Sequence, residues 1–510
     1  MRIVLQIVLI GASVTAVAAL AERINQEGRI LGPLPGVTNS ILFNTTNAEA
    51  VLSAMQVFPV TNPWNESISN RPALVNSAAM MAQINSDVGS SHRKLLLFKE
   101  MNFALVPDNQ PLVKFSFAGG YPDESDLNGG TFPVGLYPIP TNLPVEGWPV
   151  NGVTLAQSQT VDDGGDRHAI MVQPGAGFIF ETWRALRIAT NWVATNGAIF
   201  NLNSNALRTD GFTSGDAAGF PMFPALVRYE ECQRGMVEHA CRLVVVRTRS
   251  QHIYPATHDA GSVSASQTNY PAMGQRLRLR AGYVISNNWT TAEKALLLGL
   301  KKYGAMVSDN SSSFFSISIT PDDRWGAAFN NLASVGLAIT NFEVIQTTGP
   351  VEGPRSPGAP GTVAGGDQSI GFGQPAQLQG VVIFPGAQPA VQWRQYSGPG
   401  TVSFGNPGLT NTTVSFSAPG VYTLMLSADD GVHAVAYDAV VITVSQTITL
   451  AFTRTGTNLN FNWTGGTPPF VVERAGELPA SSWSGVATTS LQTASVPLTS
   501  TNGFFRIRGQ

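Results

Sequence analysis

The chain has 510 residues, room for about three domains, and is 43% hydrophobic but only 12% charged. Its 51 glycines and 33 prolines point to short strands and turns and exclude coiled coils, helical bundles and charge-rich disorder. The net charge of −3 provides no basic footprint for nucleic acid or an anionic membrane.

Residues 1–21 read as a secretory signal. Arg2 is the positive start, the apolar stretch runs from Ile3 to Leu20, and Ala19-Leu20-Ala21 is a small-x-small cleavage pattern. Gln6, Gly11, Ser13 and Thr15 interrupt the stretch, whereas a membrane anchor needs about 20 unbroken apolar residues. No later segment can span a membrane. The chain from Glu22 onward is therefore expected outside the cytoplasm, secreted or held at the cell surface.

Residues 22–346 are the main unit, where any activity is expected. Strand-like runs dominate it: Leu112–Phe117, His168–Val172, Phe178–Thr182, Ala198–Leu202, Cys241–Arg247 and Gln275–Ile285. One strong helix signal covers Thr290–Tyr303, with a Thr290/Glu293 capping box, an apolar face of Ala292, Leu296, Leu300 and Tyr303, and Gly304 as its C-cap. Shorter helical turns fit Ala48–Met55 and Ser77–Ile84. The expected fold is mainly β: a large β-sandwich or jelly-roll-like unit with one packed helix, followed by two small β-sandwich modules. Leu226–Val246 reads as a hairpin turning at Gly235, which would let Cys232 and Cys241 close a disulfide; two free buried thiols are the alternative.

Thr347–Gly366 (TTGPVEGPRSPGAPGTVAGG) has linker composition. Residues 367–446 then alternate at sandwich spacing. Trp393, Ser397-Gly398-Pro399-Gly400, Val414-Ser415-Phe416, Pro419-Gly420-Val421-Tyr422 and Asp429-Asp430-Gly431 resemble a PKD-type immunoglobulin-like domain, which implies a spacer or weak binding module. Residues 447–510 are similar to a small fibronectin-III module, with Trp463, Trp483 and Phe504 as core or as a sugar-stacking face.

In the main unit, Asn62-Pro63-Trp64-Asn65, Asp123-Glu124-Ser125-Asp126, Gly165-Asp166-Arg167-His168, Ser214-Gly215-Asp216-Ala217-Ala218-Gly219, Leu226-Val227-Arg228-Tyr229-Glu230, Glu238-His239-Ala240 and Lys302-Tyr303-Gly304 resemble a group of secreted soil-bacterial proteins. That resemblance spans most of 55–330 and implies export and a shared fold, and nothing about substrate.

Six histidines are available for acid–base work. His168 stands at the mouth of a strand with Glu181 one hairpin away, the pattern of an imidazole oriented by a carboxylate; a satisfied structural histidine fits as well. Asp216 and Glu230 are further catalytic candidates, because a facing pair of carboxyls would suit glycoside hydrolysis, and His239 is a candidate to assist them. Arg167, Arg228, Arg276 and His258 are candidate substrate-binding residues. Arg276, Arg278 and Arg280 alternate onto one strand face, to meet an acidic polysaccharide or carboxylates of a neighbouring strand. The spacing of His168, His239 and His258 matches no metal motif, and no cofactor is expected. No Gly-x-Ser-x-Gly elbow, HExxH or phosphate loop occurs.

The expected function is that of an exported carbohydrate-active protein, its main unit cleaving a polysaccharide as hydrolase or lyase. A non-enzymatic extracellular glycan-binding or adhesion protein is the alternative, and a His-dependent metal oxidase the second. The partner in the first two is a polysaccharide or other extracellular glycan.

Overall fold

The computed structural model describes residues 22–346 and 360–509, apart from positions 385, 387, 447, 467, 479, 481 and 499–502. The expected signal, 1–21, and residues 347–359 of the expected linker lie outside the described residues. The rest of that linker is partly ordered, since Gly361–Val363 is a strand paired with Val381–Ile383.

The protein is mainly β, in several stacked sheets. Within 22–346, the site is positioned by a five-stranded sheet ordered Asn196–Asn201, Phe178–Trp183, Ala169–Gln173, Ala104–Leu105, Ile41–Leu42. Both of its faces are covered, which is why Ala169-Ile170-Met171-Val172 is continuously apolar. Ile170, Val172 and Ile179 enter one core, and Ala169, Met171 and Phe180 enter a smaller one with Phe115, Phe117, Tyr137 and Trp192. Strand alternation then dictates that Glu181 points with Ile179 and Ile170 into the larger core. It lies directly across from Ile170 in the register.

The other wall of that core is a six-stranded mixed sheet ordered Phe342–Val344, Arg276–Leu279, Ala305–Asn310, Cys241–Val245, Phe315–Ile319, Leu95–Lys99. Helices Ser77–Asp87 and Thr291–Lys302 pack against it, and Thr46–Ala54 enters the same core beside Ile41–Leu42 of the five-stranded sheet. The capping box of the last is present as expected: the Thr290 hydroxyl accepts from the Glu293 N–H while the Glu293 carboxylate accepts from the Thr290 N–H. Six α-helices occur among the described residues, where one strong helix and two shorter helical turns, at Ala48–Met55 and Ser77–Ile84, were expected. Three of them have only five or six residues, too short to display a 3.6-residue period.

The expected Leu226–Val246 hairpin does not form. Tyr229–Arg234 is a helix ended by Gly235 at φ +100°, a left-handed C-cap, and only Cys241–Val245 is a strand. Cys232 and Cys241 are consequently not cross-strand partners, and the expected disulfide is corrected to two free, fully buried thiols. Burial pushes both thiols well above the usual range, the neighbouring Glu231 adding to it. A reductant should therefore leave the melting temperature unchanged, as calorimetry with and without dithiothreitol will check; a drop of several degrees would reveal a bridge.

C-terminally, a four-stranded sheet (Gln368–Gly371, Ala436–Ser445, Gly420–Asp429, Ala390–Ser397) faces a three-stranded one (Ala376–Gln379, Asn411–Phe416, Val402–Phe404) across Trp393, Tyr422, Leu424 and Ile442. The Tyr422 hydroxyl donates to the Ala418 carbonyl at 2.7 Å, a corner bond that fixes the loop before its strand. Two further three-stranded sheets enclose Phe461, Trp463, Phe470 and Val472. Trp463 is core, whereas Trp483 is half-buried beneath the Arg506 guanidinium, 4.4 Å from its ring. No helix among the described residues is long and apolar enough to cross a membrane.

Candidate functional site

Four of the residues singled out from the sequence meet around one segment, Thr213–Phe223, between the five-stranded and six-stranded sheets. The segment is tightly folded: the Asp216 N–H donates to Ser214 Oγ, and the Gly219 N–H to the Asp216 carbonyl. Gly219 sits at φ +74°, and a Cβ there would come within 2.1 Å of Thr257 Oγ1.

Each side chain grips the segment differently. His168 donates from Nε2 to the Gly215 carbonyl at 2.8 Å, and from Nδ1 to Glu146 Oε2 at 2.9 Å. Glu181 accepts from the Met222 and Phe223 N–H groups at 2.8–2.9 Å. His258 donates from Nδ1 to the Ala217 carbonyl at 2.7 Å. Asp216 Oδ1 accepts from Arg242 Nε and Nη2 at 3.2 and 3.0 Å. The carboxylate that orients His168 is thus Glu146, and Glu181 is spent on backbone N–H groups.

Arg242 organises the cluster from the facing sheet. It also donates to Asp309 Oδ2 at 2.7 Å and Ser318 Oγ at 3.1 Å. The register explains how: Arg242 pairs with Met306, but a bulge between Leu243 and Val244 makes Val244 pair with Asp309. The extra residue brings Asp309 onto the Arg242 face, which an unbroken ladder would have denied it. Ser318 lies opposite Arg242 on the antiparallel side and also donates to Glu100 Oε1.

The electrostatics follow from burial and these partners. Burial alone would discharge His168, but the Glu146 carboxylate holds the ring protonated, with a pKa of about 9. Both ring nitrogens face acceptors, which requires an imidazolium. Burial would raise Glu146 too, yet His168 outweighs it and brings the carboxyl to about 2. For Glu181 burial wins over the backbone N–H groups, and the carboxyl rises to about 7. Burial wins over Arg242 at Asp216 as well, giving about 7. Among the described residues, Asp216 Oδ2 is buried without a hydrogen-bond partner.

Glu230 and His239 belong to a second cluster, centred on Arg228. Arg228 Nε donates to Glu230 Oε1 at 3.0 Å and Nη2 to Glu231 Oε2 at 3.1 Å. His239 donates to Glu231 Oε1 at 3.1 Å and to the Ala240 carbonyl at 2.8 Å. Burial raises Glu231, but Arg228 and His239 overcome it and lower the carboxyl to about 2. Arg167 and Arg276 are buried backbone clamps, and Arg280 is exposed. Arg167 donates to the carbonyls of Ser158, Val161 and Ala185, and Arg276 to those of Pro63, Glu66 and Tyr303. Arg278 meets Glu343, its cross-strand partner, at 2.9 Å. The Arg276–Arg278 face is thus turned inward, with Arg276 4% and Arg278 8% exposed.

The inner groups are closed to solvent, His168 at 3%, Glu181 at 0%, Asp216 at 1% and Arg242 at 3%. Among the described residues, no three His, Cys, Asp or Glu side chains are disposed to share a metal ion. Sequence reasoning missed Glu146 and Arg242, although Arg242, a lone charge opening an apolar strand, was the available signal. It also missed two surface aromatics, Tyr121 beside His258 and Trp183 beside Tyr121.

Comparison with known proteins places the family of one module. A PKD-domain family model matches residues 364–444, so the module built around Trp393 and Tyr422 is of PKD type. No curated protein matches the chain. Among solved structures, titin domains A168–A170 are similar at 14% identity, covering 29% of this chain and 59% of that fragment with a TM-score of 0.17. The D00–D0 domain of intimin is similar at 14% identity over 27% of this chain and 84% of its own, TM-score 0.17. Fibronectin(III)-like modules of Clostridium thermocellum CbhA are similar at 11% identity over 29% of this chain and 83% of theirs, TM-score 0.17. These likenesses bear on none of the chemistry in 22–346.

Proposed function

We propose that the chain works outside the cytoplasm as a non-enzymatic glycan-binding or adhesion protein. In this reading the part spanning 22–346 makes the contact, and the PKD and fibronectin-III-like modules serve as spacers. The observation that carries it is the saturation of the His168 and Glu181 side chains: both nitrogens of His168 and both oxygens of Glu181 are committed to the protein itself. A general acid or base must reach the proton it transfers in a bound substrate, and these two groups reach only Glu146 and the Thr213–Phe223 segment. The secretory pattern of residues 1–21 supports export.

Polysaccharide cleavage is the second reading, and Asp216 favours it, with an unpartnered oxygen and a carboxyl near 7. The two readings separate in one experiment with the whole chain from Glu22 onward, on neutral and acidic polysaccharides. Binding is expected to at least one glycan, without new reducing ends or ultraviolet-absorbing unsaturated products. Product release that disappears in Asp216→Asn would replace the binding reading with a hydrolase or lyase.

A further inference from the structure

We infer that the surface formed by Tyr121, Trp183 and His258, flanked by Asp166, is a binding platform for the pyranose rings of a neutral polysaccharide; this rests on the glycan-binding function proposed above. Tyr121 is 39% exposed, and Trp183 and His258 are half-buried. The Tyr121 and Trp183 ring centroids lie 6.3 Å apart with planes tilted by 34°. The His258 ring stands edge-on to Tyr121 at 5.7 Å. The three rings form one continuous row, ending at exposed Asp166, whose Oδ1 accepts from Trp183 Nε1 at 3.0 Å.

Each position in the row is tied to its surroundings, Trp183 and His258 through their rings and Tyr121 through its backbone. Trp183 is held by Asp166 and lies against Gly120, where a Cβ would come within 3.0 Å of the indole. The Tyr121 carbonyl accepts from Asn196 Nδ2 at 3.0 Å, and Asn196 is fully buried. His258 is tied to the Ala217 carbonyl, beside the His168–Asp216 cluster. This gives the rigid polar cluster a use: it holds the segment on which the platform rests. Preorganised rings lose little freedom on binding.

The chemistry selects the ligand. A pyranose presents an apolar C–H face, which suits an aromatic surface, and a rim of hydroxyls, which suits a carboxylate acceptor. The charges around the row are predominantly acidic, with Asp123, Asp162, Asp163 and Asp166 all exposed; Asp162 pairs with Arg184 at 3.8 Å and Asp163 with Arg167 at 3.6 Å, which leaves Asp123 and Asp166 to set the sign. An acidic polysaccharide is repelled there.

Affinity electrophoresis of the whole chain through gels containing β-glucan, xylan, galactomannan or polygalacturonate tests the proposal. At least one neutral polymer is expected to retard it, and polygalacturonate to leave it unretarded. Tyr121→Ala and Trp183→Ala should each weaken binding about tenfold or more, while Tyr121→Phe, which keeps the ring, binds as the parent does. Should Trp183→Ala fold poorly, tryptophan emission on adding the matching oligosaccharide replaces it as the test, with a change expected in the parent and none in Trp183→Phe. Neutral-glycan binding unaffected by Tyr121→Ala or Trp183→Ala would overturn the platform and leave the glycan reading standing. Binding of none of the polymers would remove both, and retardation by polygalacturonate alone would overturn the platform's assigned ligand.

Discussion

Replacing Arg242 with methionine should destabilise the protein by about 3–5 kcal/mol, the usual effect of deleting one partner of a buried ionic network. Methionine fills much of the same volume, so the loss comes from charge and hydrogen bonding. The guanidinium makes four hydrogen bonds, two to Asp216 and one each to Asp309 and Ser318. Without it Asp309, whose side chain is 28% exposed, turns to water, but Asp216, 1% exposed, cannot. Asp216 will instead remain protonated to a higher pH than its present value of about 7. The loss should accordingly be larger at pH 8, where the parent's carboxylate is ionised and paired, than at pH 5, where it is neutral in both proteins. Urea unfolding at the two pH values measures this. An unchanged midpoint, or a loss independent of pH, would show that Arg242 is not the keystone of the cluster.

The sequence made some of this arrangement readable and hid the rest for identifiable reasons. Alternation revealed the strands of the PKD module and the central strands of the main unit, and the Thr290/Glu293 pair marked its helix, because these signals are local. Asp216, His168, Glu181 and His258 were picked for their chemical type, and they do gather on one segment. Their partners were invisible: Glu146 is 22 residues from His168, and Arg242, on a strand of the facing sheet, is 26 from Asp216. The Leu243/Val244 bulge that delivers Asp309 leaves no trace in the pattern of apolar residues. Gly235 was ambiguous in principle, since a left-handed glycine ends a helix as readily as it turns a hairpin. The platform was missed because periodicity cannot distinguish a ring at a strand's exposed end from one in its core. Trp183 shares its parity with Ile179 and Glu181, both fully buried.

Stability should peak in mildly acidic solution, near pH 4–5, and decline steadily to pH 9. The signs follow group by group. Glu146 and Glu231 have folded values of about 2, below the ordinary 4.5; their contribution is complete above 4.5 and is lost as pH falls toward 2. Glu181 and Asp216 are displaced the other way, to about 7 from 4.5 and 3.8. Their unfolded forms release protons first, so stability drains away as pH rises from about 4 to 7. His168, raised to about 9 from 6.5, contributes fully below 6.5 and is lost as pH climbs through 9. These displacements correspond to roughly 3–4 kcal/mol apiece, so the alkaline decline is large against a typical total stability of about 5–15 kcal/mol. Two substitutions assign the limbs. Glu181→Gln should roughly halve the decline between pH 4.5 and 7, Asp216 supplying the rest, and His168→Gln should flatten the decline between 6.5 and 9, each at lower overall stability. Denaturant unfolding across that range decides the matter: a profile level from pH 5 to 9, or an alkaline limb that survives His168→Gln, would mean that the buried imidazolium does not hold the Gly215 turn in place.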